Sequence, residues 1–140
     1  MAFAHYTLVA WQRADDLFLK LHQLSLKAFP PFEKYELGGQ LRRAAFSVPA
    51  NIVEGFAITY RKRRLNFLVT AQASLAEVGY AVHAAHRLGY IADQVSTEIE
   101  IEIKQVAAPL AGLIASERRK LKIEVSAIVL LAVIASRMLW

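Results

Sequence analysis

The segment SVPANIVEGF, residues 47–56, decides how many helices the chain contains. A proline inside a helix removes one backbone hydrogen bond and often ends the helix. Here the apolar pattern keeps its helical spacing on both sides of the proline, instead of starting again after it. The apolar stripe consists of Leu41, Ala45, Val48, Ile52 and Phe56. The segment therefore predicts one continuous helix, kinked at Pro49, where the bond to the Ala45 carbonyl is lost.

A second, polar stripe runs along the same predicted helix. It consists of Arg42, Arg43, Ser47, Asn51 and Glu54, which we call the polar seam. Because buried polar groups need partners, we interpret the seam as satisfied inside a bundle or at a subunit contact. The alternative is that its arginines contact a ligand or nucleic acid, since arginine suits phosphate.

Three further segments show the apolar spacing of amphipathic helices. They run over about residues 7–28, 62–88 and 93–120, while the helix that contains Pro49 begins near residues 36–40 and ends near residue 60. Pro30, Pro31 and Gly89 mark breaks between them.

The stretch TEIEIEIKQV, residues 97–106, alternates apolar and charged residues as a strand does. No second strand pattern accompanies it, and helical spacing follows directly, so helix is predicted. Four helices joined by short links predict an all-α, up-down-up-down antiparallel four-helix bundle.

The composition limits the class of protein. A chain of 140 residues fits one domain with a substantial core. The absence of cysteine excludes a disulfide framework, a thiol nucleophile and a thiolate metal site. The amino-terminal residues lack the basic region of a secretory signal and turn acidic early, so no signal peptide is predicted and a cytoplasmic location is expected.

Seven basic residues are predicted to meet at one end of the bundle. In an up-down-up-down arrangement, the link between the second and third helices lies at the same end as the close of the fourth. These positions carry Arg61, Lys62, Arg63, Arg64, Arg118, Arg119 and Lys120, which we call the basic end. Clustered cations can neutralise phosphates, so the basic end is predicted to bind nucleic acid. The alternative is a solvated helix junction that serves solubility.

Catalytic and metal-binding patterns are not evident. His83 and His86 have a spacing that could serve a metal, but the Glu-x-x-His pairs of metal-binding bundles are missing. Ser47 and Ser74 have no evident His and Asp partners, and no Gly-rich phosphate loop occurs. We predict no catalytic residue, no metal and no cofactor.

The carboxyl-terminal residues 123–140 are unusually apolar, and the chain is predicted to divide into a bundle over 1–122 and this extension. Residues 125–135 carry no charge and lie between Glu124 and Arg137. A membrane-spanning helix needs about 20 apolar residues, so no span is predicted. Three interpretations stay open: packing on the bundle or on a neighbouring subunit, contact with a membrane surface, or an extension without function.

The stretch FPPFEKYELGGQLRRAAFSVPANIVEGF, residues 29–56, closely resembles the signature of the four-helix bundle protein family. These are small bacterial proteins first noticed as open reading frames within intervening sequences of large-subunit ribosomal RNA genes. The likeness covers about residues 8–120. Its signature positions are Phe29, Pro30, Glu33, Tyr35, Leu37, Gln40, Arg42 to Ala44, Ser47 to Ile52, Glu54 and Gly55.

The resemblance implies a bundle that assembles into a ring, with pentamers expected. It also implies kinship with the accessory protein of diversity-generating retroelements, which binds RNA and a reverse transcriptase. No enzymatic activity is established for most of the family. We therefore predict a non-enzymatic, homo-oligomeric scaffold that binds RNA or a protein partner through the basic end. The alternative is a purely structural, self-assembling bundle.

Overall fold

A computed structural model describes residues 4–138, which form four helices, two short 3-10 turns and no strand. The 3-10 turns cover Ala4–Thr7 and Pro31–Glu33. The helices are α1 (Val9–Ala28), α2 (Leu37–Ala57), α3 (Arg61–Arg87) and α4 (Asp93–Met138). Each helix packs against the next one in the chain, and α4 returns to α1, which confirms the predicted all-α four-helix bundle.

Helix α2 passes through Pro49 without a break, as its apolar spacing predicted. Val48, Pro49 and Ile52 are all buried, so the apolar stripe faces the core on both sides of the proline. Burial of this stripe offsets the backbone bond that a proline cannot donate. The helix ends at Ala57, a few residues before the predicted end.

The alternating stretch 97–106 is helical, as predicted. Ile99 is fully buried and Ile103 packs against the core, while Ile101, which a strand would place on their face, is half exposed. The core therefore selects residues four apart rather than two apart. Sequence reasoning overlooked Pro109, which also lies inside α4.

At the end of the bundle opposite the basic end, one carboxylate connects the two links between helices. Glu33 accepts a hydrogen bond from the backbone N–H of Leu37 at 3.0 Å and another from the hydroxyl of Tyr90 at 2.9 Å. The first bond satisfies a free N–H at the start of α2, and the second joins the α1–α2 link to the α3–α4 link. Gly89, predicted to end α3, has a φ of 77°, which favours glycine.

This contact predicts a pH dependence of stability. The hydrogen bond to Glu33, followed by burial, raises the pKa of Tyr90 above its ordinary value. A group whose pKa is higher in the folded state stabilises the fold below its unfolded pKa, here about 10, and loses that contribution as pH rises through the folded pKa. We expect Tyr90→Phe to lower the melting temperature near neutral pH and to reduce its further fall above about pH 10. Tyr80→Phe is the control, since Tyr80 is 72% exposed; equal pH profiles for the two variants would contradict the assignment.

Helix α4 corrects the sequence prediction, which ended it near Lys120. It is 46 residues long and continues to Met138, because residues 113–138 contain no glycine or proline that would stop it. Every residue from 122 to 138 is exposed, and this part contacts its own bundle through the ion pair of Glu124 with Arg61. The division of the chain at residue 122 stays a prediction, since the helix runs through it unbroken.

Candidate nucleic-acid interface

A buried carboxylate holds the start of α3 against the middle of α4. Glu117 is 4% exposed, and its two oxygens accept hydrogen bonds from Arg61 at 2.6 Å and from Arg64 at 3.5 Å. Arg61 also donates to Glu124, two helical turns further along α4, at 2.7 Å. Hydrogen bonds to Glu124 and Glu117 raise the pKa of the Arg61 guanidinium, which therefore stays charged in this network.

Arg64 connects three helices. Besides Glu117, it donates to the backbone carbonyls of Gly55 at 3.2 Å and Ile58 at 2.9 Å, which satisfies the end of α2. Its guanidinium lies 5.0 Å from the centre of the Phe56 ring, a favourable cation–π distance. Arg61 and Arg64 thus position the two helices of the basic end.

The other five cations of the basic end project into solvent. Lys62, Arg63, Arg118 and Arg119 are exposed and make no hydrogen bond or ion pair with residues 4–138. Lys120 lies 4.0 Å from Glu117 but keeps 55% of its side chain exposed. These five side chains are available to anions.

The net charge of the protein is concentrated here. Residues 61–64 and 117–124 contain eight of the 17 Lys and Arg residues but only two of the 12 acidic residues. The rest of the chain contains nine basic and ten acidic residues, so it is nearly neutral. These two segments therefore carry a net charge of +6 and the rest of the chain carries −1, which produces a local positive field at the basic end.

Aromatic groups at the basic end are few. Tyr60, which directly precedes α3, is 76% exposed, and Phe67 is half-buried. A single exposed ring offers one stacking surface for an unpaired base, so phosphate contacts dominate what this surface can do.

The polar seam divides into two parts. Arg42 donates to the hydroxyl of Ser25 on α1 at 2.9 Å and to the Lys34 carbonyl. Asn51 donates to Ser47, whose hydroxyl lies 2.8 Å from that of Ser74 on α3. These three members therefore have hydrogen-bond partners inside the bundle.

The remaining two members of the seam, Arg43 and Glu54, are exposed and have no hydrogen bond or ion pair within the described part of the chain. They are therefore the members that a neighbouring subunit could contact. Sequence reasoning missed Ser25 and Ser74 as partners of the seam because both lie on other helices.

The two histidines considered as metal ligands have different surroundings. His86 lies 2.6 Å from Asp93, a contact between the end of α3 and the start of α4, and His83 is exposed. Residues 4–138 hold no group of three or more His, Cys, Asp or Glu that could bind a metal ion.

Sequence reasoning did not identify Glu117 and Glu124 as partners of the basic end, nor Lys122 as a further cation there. The two glutamates are seven residues apart, two turns along one face of α4, and four basic residues start the neighbouring helix. That spacing was the available signal for a carboxylate pair that holds RKRR in place.

The fold and this surface define a small, all-helical bundle with one strongly cationic end. The family described as the 23S rRNA-intervening sequence protein matches residues 6–112, and the chain belongs to it, as the signature predicted. Among solved structures, a protein of unknown function from the S23 ribosomal protein family of Bacteroides thetaiotaomicron has a similar fold, with a TM-score of 0.70 at 20% identity. The match covers 76% of this chain and 98% of that chain. No curated protein matches.

The family match ends at residue 112, so it includes the cations at the start of α3 but not those of α4. Arg118, Arg119, Lys120 and the apolar residues that follow therefore lie outside the matched residues. Across residues 4–138, no helix is long and apolar enough to cross a membrane.

Proposed function

We propose that this protein is a non-enzymatic, homo-oligomeric helical scaffold that binds RNA through its basic end. The observation that carries the proposal is the net charge of +6 in the two segments at the basic end, with five cations that extend into solvent. The family's description, which refers to ribosomal RNA, agrees with an RNA ligand.

The proposed mechanism separates positioning from binding. Arg61 and Arg64 fix α3 against α4 through Glu117. The five solvent-facing cations, Lys62, Arg63, Arg118, Arg119 and Lys120, then contact phosphates and release the counterions of the RNA. Since these contacts carry no base readout, affinity depends on charge and shape more than on sequence.

Oligomerisation would repeat this surface. The resemblance implies a ring, in which each copy contributes one basic end, so several weak phosphate sites act on one RNA molecule. Such a scaffold binds RNA without catalysing a reaction, in agreement with the proposal that the protein is not an enzyme.

The RNA proposal predicts that loss of cations at the basic end weakens RNA binding more than loss of cations elsewhere. We expect replacement of Lys62, Arg63, Arg118 and Arg119 by alanine to weaken RNA binding at least about tenfold at low salt. The slope of log affinity against log salt should also become shallower, by about 0.7 for each single-strand phosphate that the variant no longer neutralises. The measurement is RNA binding by nuclease-treated protein over a salt series.

The matched control replaces four exposed cations elsewhere, Lys27, Lys34, Arg87 and Lys104, by alanine and changes the net charge equally. It should bind almost as the unaltered protein does, because its basic end is intact. Equally weakened binding by both variants, or no binding by the unaltered protein at low salt, would overturn the RNA proposal. Salt-dependent binding of an acidic protein without any binding of RNA would instead favour the protein-partner alternative.

The proposed assembly has its own test. Glu54 is exposed and makes no polar contact within residues 4–138, so the fold of a single copy should not depend on it. If the seam meets a neighbouring subunit, Glu54→Ala should have a lower native mass by light scattering at the same concentration. An unchanged native mass would exclude Glu54 from a subunit contact. Glu77→Ala, at an exposed position of α3, controls for removal of a surface carboxylate.

A further inference from the structure

A groove runs along the basic end, between the start of α3 and one face of α4. Residues 59–62 form one wall, and side chains of α4 at the spacing of a single helix face form the other: Leu121, Glu124, Val125 and Ile128. The groove has a volume of about 380 Å³. Ligand pockets begin at about 300 Å³, so the groove suits one small group.

Tyr60 lines this groove with an exposed aromatic ring. It directly precedes α3, and its carbonyl accepts a hydrogen bond from the backbone N–H of Arg64 at 2.9 Å, which fixes the point where the side chain begins. Tyr60 is 76% exposed, and within residues 4–138 its hydroxyl has no hydrogen bond and no ring or guanidinium group stacks on it. Aromatic rings among cations are the surfaces on which proteins stack the bases of single-stranded nucleic acids.

The rest of the groove suits a flat apolar group that carries an anion. The aliphatic side chains of α4 supply apolar contacts, and Lys62 supplies a positive charge within the groove. Arg118 and Lys122 each lie three residues before an aliphatic residue of the groove, so they flank it on the same side of α4. A nucleotide in a strand has this combination, since its base is flat and a phosphate lies on either side of it.

Glu124, the acid in the groove, helps to orient such a ligand. Its Oε1 atom accepts the hydrogen bond from Arg61 at 2.7 Å, so its charge is already compensated, and half of its side chain stays exposed. The Oε2 atom accepts no hydrogen bond from the described residues and is free to accept an N–H group from the edge of a base. A phosphate offers no such donor. The base therefore belongs inside the groove, and the phosphates belong beside the flanking cations.

We propose that this groove holds one unpaired base of a single-stranded RNA, stacked on the Tyr60 ring, while the cations around it contact the adjacent phosphates. The inference rests on the proposed RNA binding and adds a base subsite to the phosphate surface. Every base has an aromatic face, so stacking does not make the protein sequence-specific. In a duplex the bases are stacked on one another, so the subsite adds affinity only for unpaired RNA.

Three RNA ligands test the subsite: a single strand, a blunt duplex, and an abasic strand that keeps the riboses and phosphates of the first. We expect the unaltered protein to bind the single strand more tightly than the abasic strand, although both carry the same charge. Tyr60→Ala should weaken binding of the single strand about tenfold and change binding of the other two less than about twofold. Tyr60→Phe should bind as the unaltered protein does, since it keeps the ring.

The salt dependence separates this subsite from the phosphate contacts. Tyr60→Ala removes no cation, so the slope of log affinity against log salt should stay the same while the affinity falls. Tyr80→Ala is the matched control, since Tyr80 is 72% exposed but lies about 30 Å from Tyr60 along α3. It should change neither the affinity nor the slope.

The opposite wall of the groove supplies a second readout at constant charge. Replacing Val125 and Ile128 together by alanine should weaken binding of the single strand at least about threefold, because the base loses apolar contacts. The matched control replaces Ile123 and Leu130, which lie about half a turn around α4 from the groove and are 68% and 60% exposed. It should bind as the unaltered protein does.

Equal losses for all three RNA ligands would show that Tyr60 acts through the position of α3 and would overturn the base subsite. Unchanged binding of the single strand by Tyr60→Ala, or equal effects of the two double variants of α4, would also overturn it and leave a phosphate surface alone. Absence of RNA binding by the unaltered protein at low salt is a different result, since it would overturn the proposed function and the subsite with it.

Discussion

Replacing Glu117 by glutamine is expected to lower the free energy of unfolding by about 2–3 kcal/mol. Its carboxylate is almost completely buried and is shared by Arg61 and Arg64. Glutamine keeps the size and one acceptor but leaves two guanidinium groups without a buried anion. Removing one partner from a fully buried pair costs about 3–5 kcal/mol. The value expected here is lower because Arg61 and Arg64 keep 24% and 20% of their side-chain surface exposed.

Glu124→Gln is the matched control, since Glu124 also binds Arg61 but its side chain is 50% exposed. We expect it to change stability by less than about 1 kcal/mol. Chemical denaturation of the two variants measures the difference. Equal destabilisation by both would show that burial of Glu117 does not decide the strength of the network. In the proposed scaffold Glu117 does not contact RNA, so folded Glu117→Gln protein is expected to bind RNA about as well as the unaltered protein.

Replacing Gly38 by alanine is the second large effect, an expected destabilisation of about 1–3 kcal/mol. Gly38 lies in the first turn of α2 and is buried. A Cβ atom there would lie 2.8 Å from the backbone oxygen of Glu33, closer than real Cβ contacts occur. Because the obstacle is backbone, relief requires movement of the turn that carries Glu33, the residue that also accepts the Tyr90 hydroxyl.

Gly112→Ala is the control for the same substitution in a helix. Gly112 is exposed within α4, and a Cβ atom there meets nothing within 4 Å. Alanine is the better helix former by about 0.5–1 kcal/mol, so this variant should be more stable. Opposite signs for the two variants in thermal unfolding would support the steric explanation. A gain in stability for Gly38→Ala would contradict it.

The fold was predictable because its main signals are local and repeated. The stripe through Pro49 and the spacing of Ile99 and Ile103 each indicate a helix face within one segment of sequence. The end of α4 was not predictable. An apolar run without a break predicts a helix equally well whether or not the bundle covers it. Only the packing of the other three helices determines where α4 leaves them.

The position of the basic end was predictable from the sequence. Which of its cations bind carboxylates and which face solvent was not. Topology alone brings RKRR and ERRK together. Which of these cations bind carboxylates depends on side-chain geometry between α3 and α4, and the sequence does not state that geometry. The polar seam shows the same limit. Ser47 accepts from Asn51 on its own helix, but its other partner, Ser74, lies on α3, which begins fourteen residues after Ser47.

Helix α4 behaves as one rigid rod. Its 46 residues span about 69 Å, and Glu117 lies near the midpoint. Because Glu117 and Glu124 both bind Arg61, the two turns between them keep a fixed distance and rotation relative to the start of α3. One residue inserted between Glu117 and Glu124 would rotate the rest of α4 by about 100° and separate Glu124 from Arg61, whereas the four helices before the insertion would keep their packing.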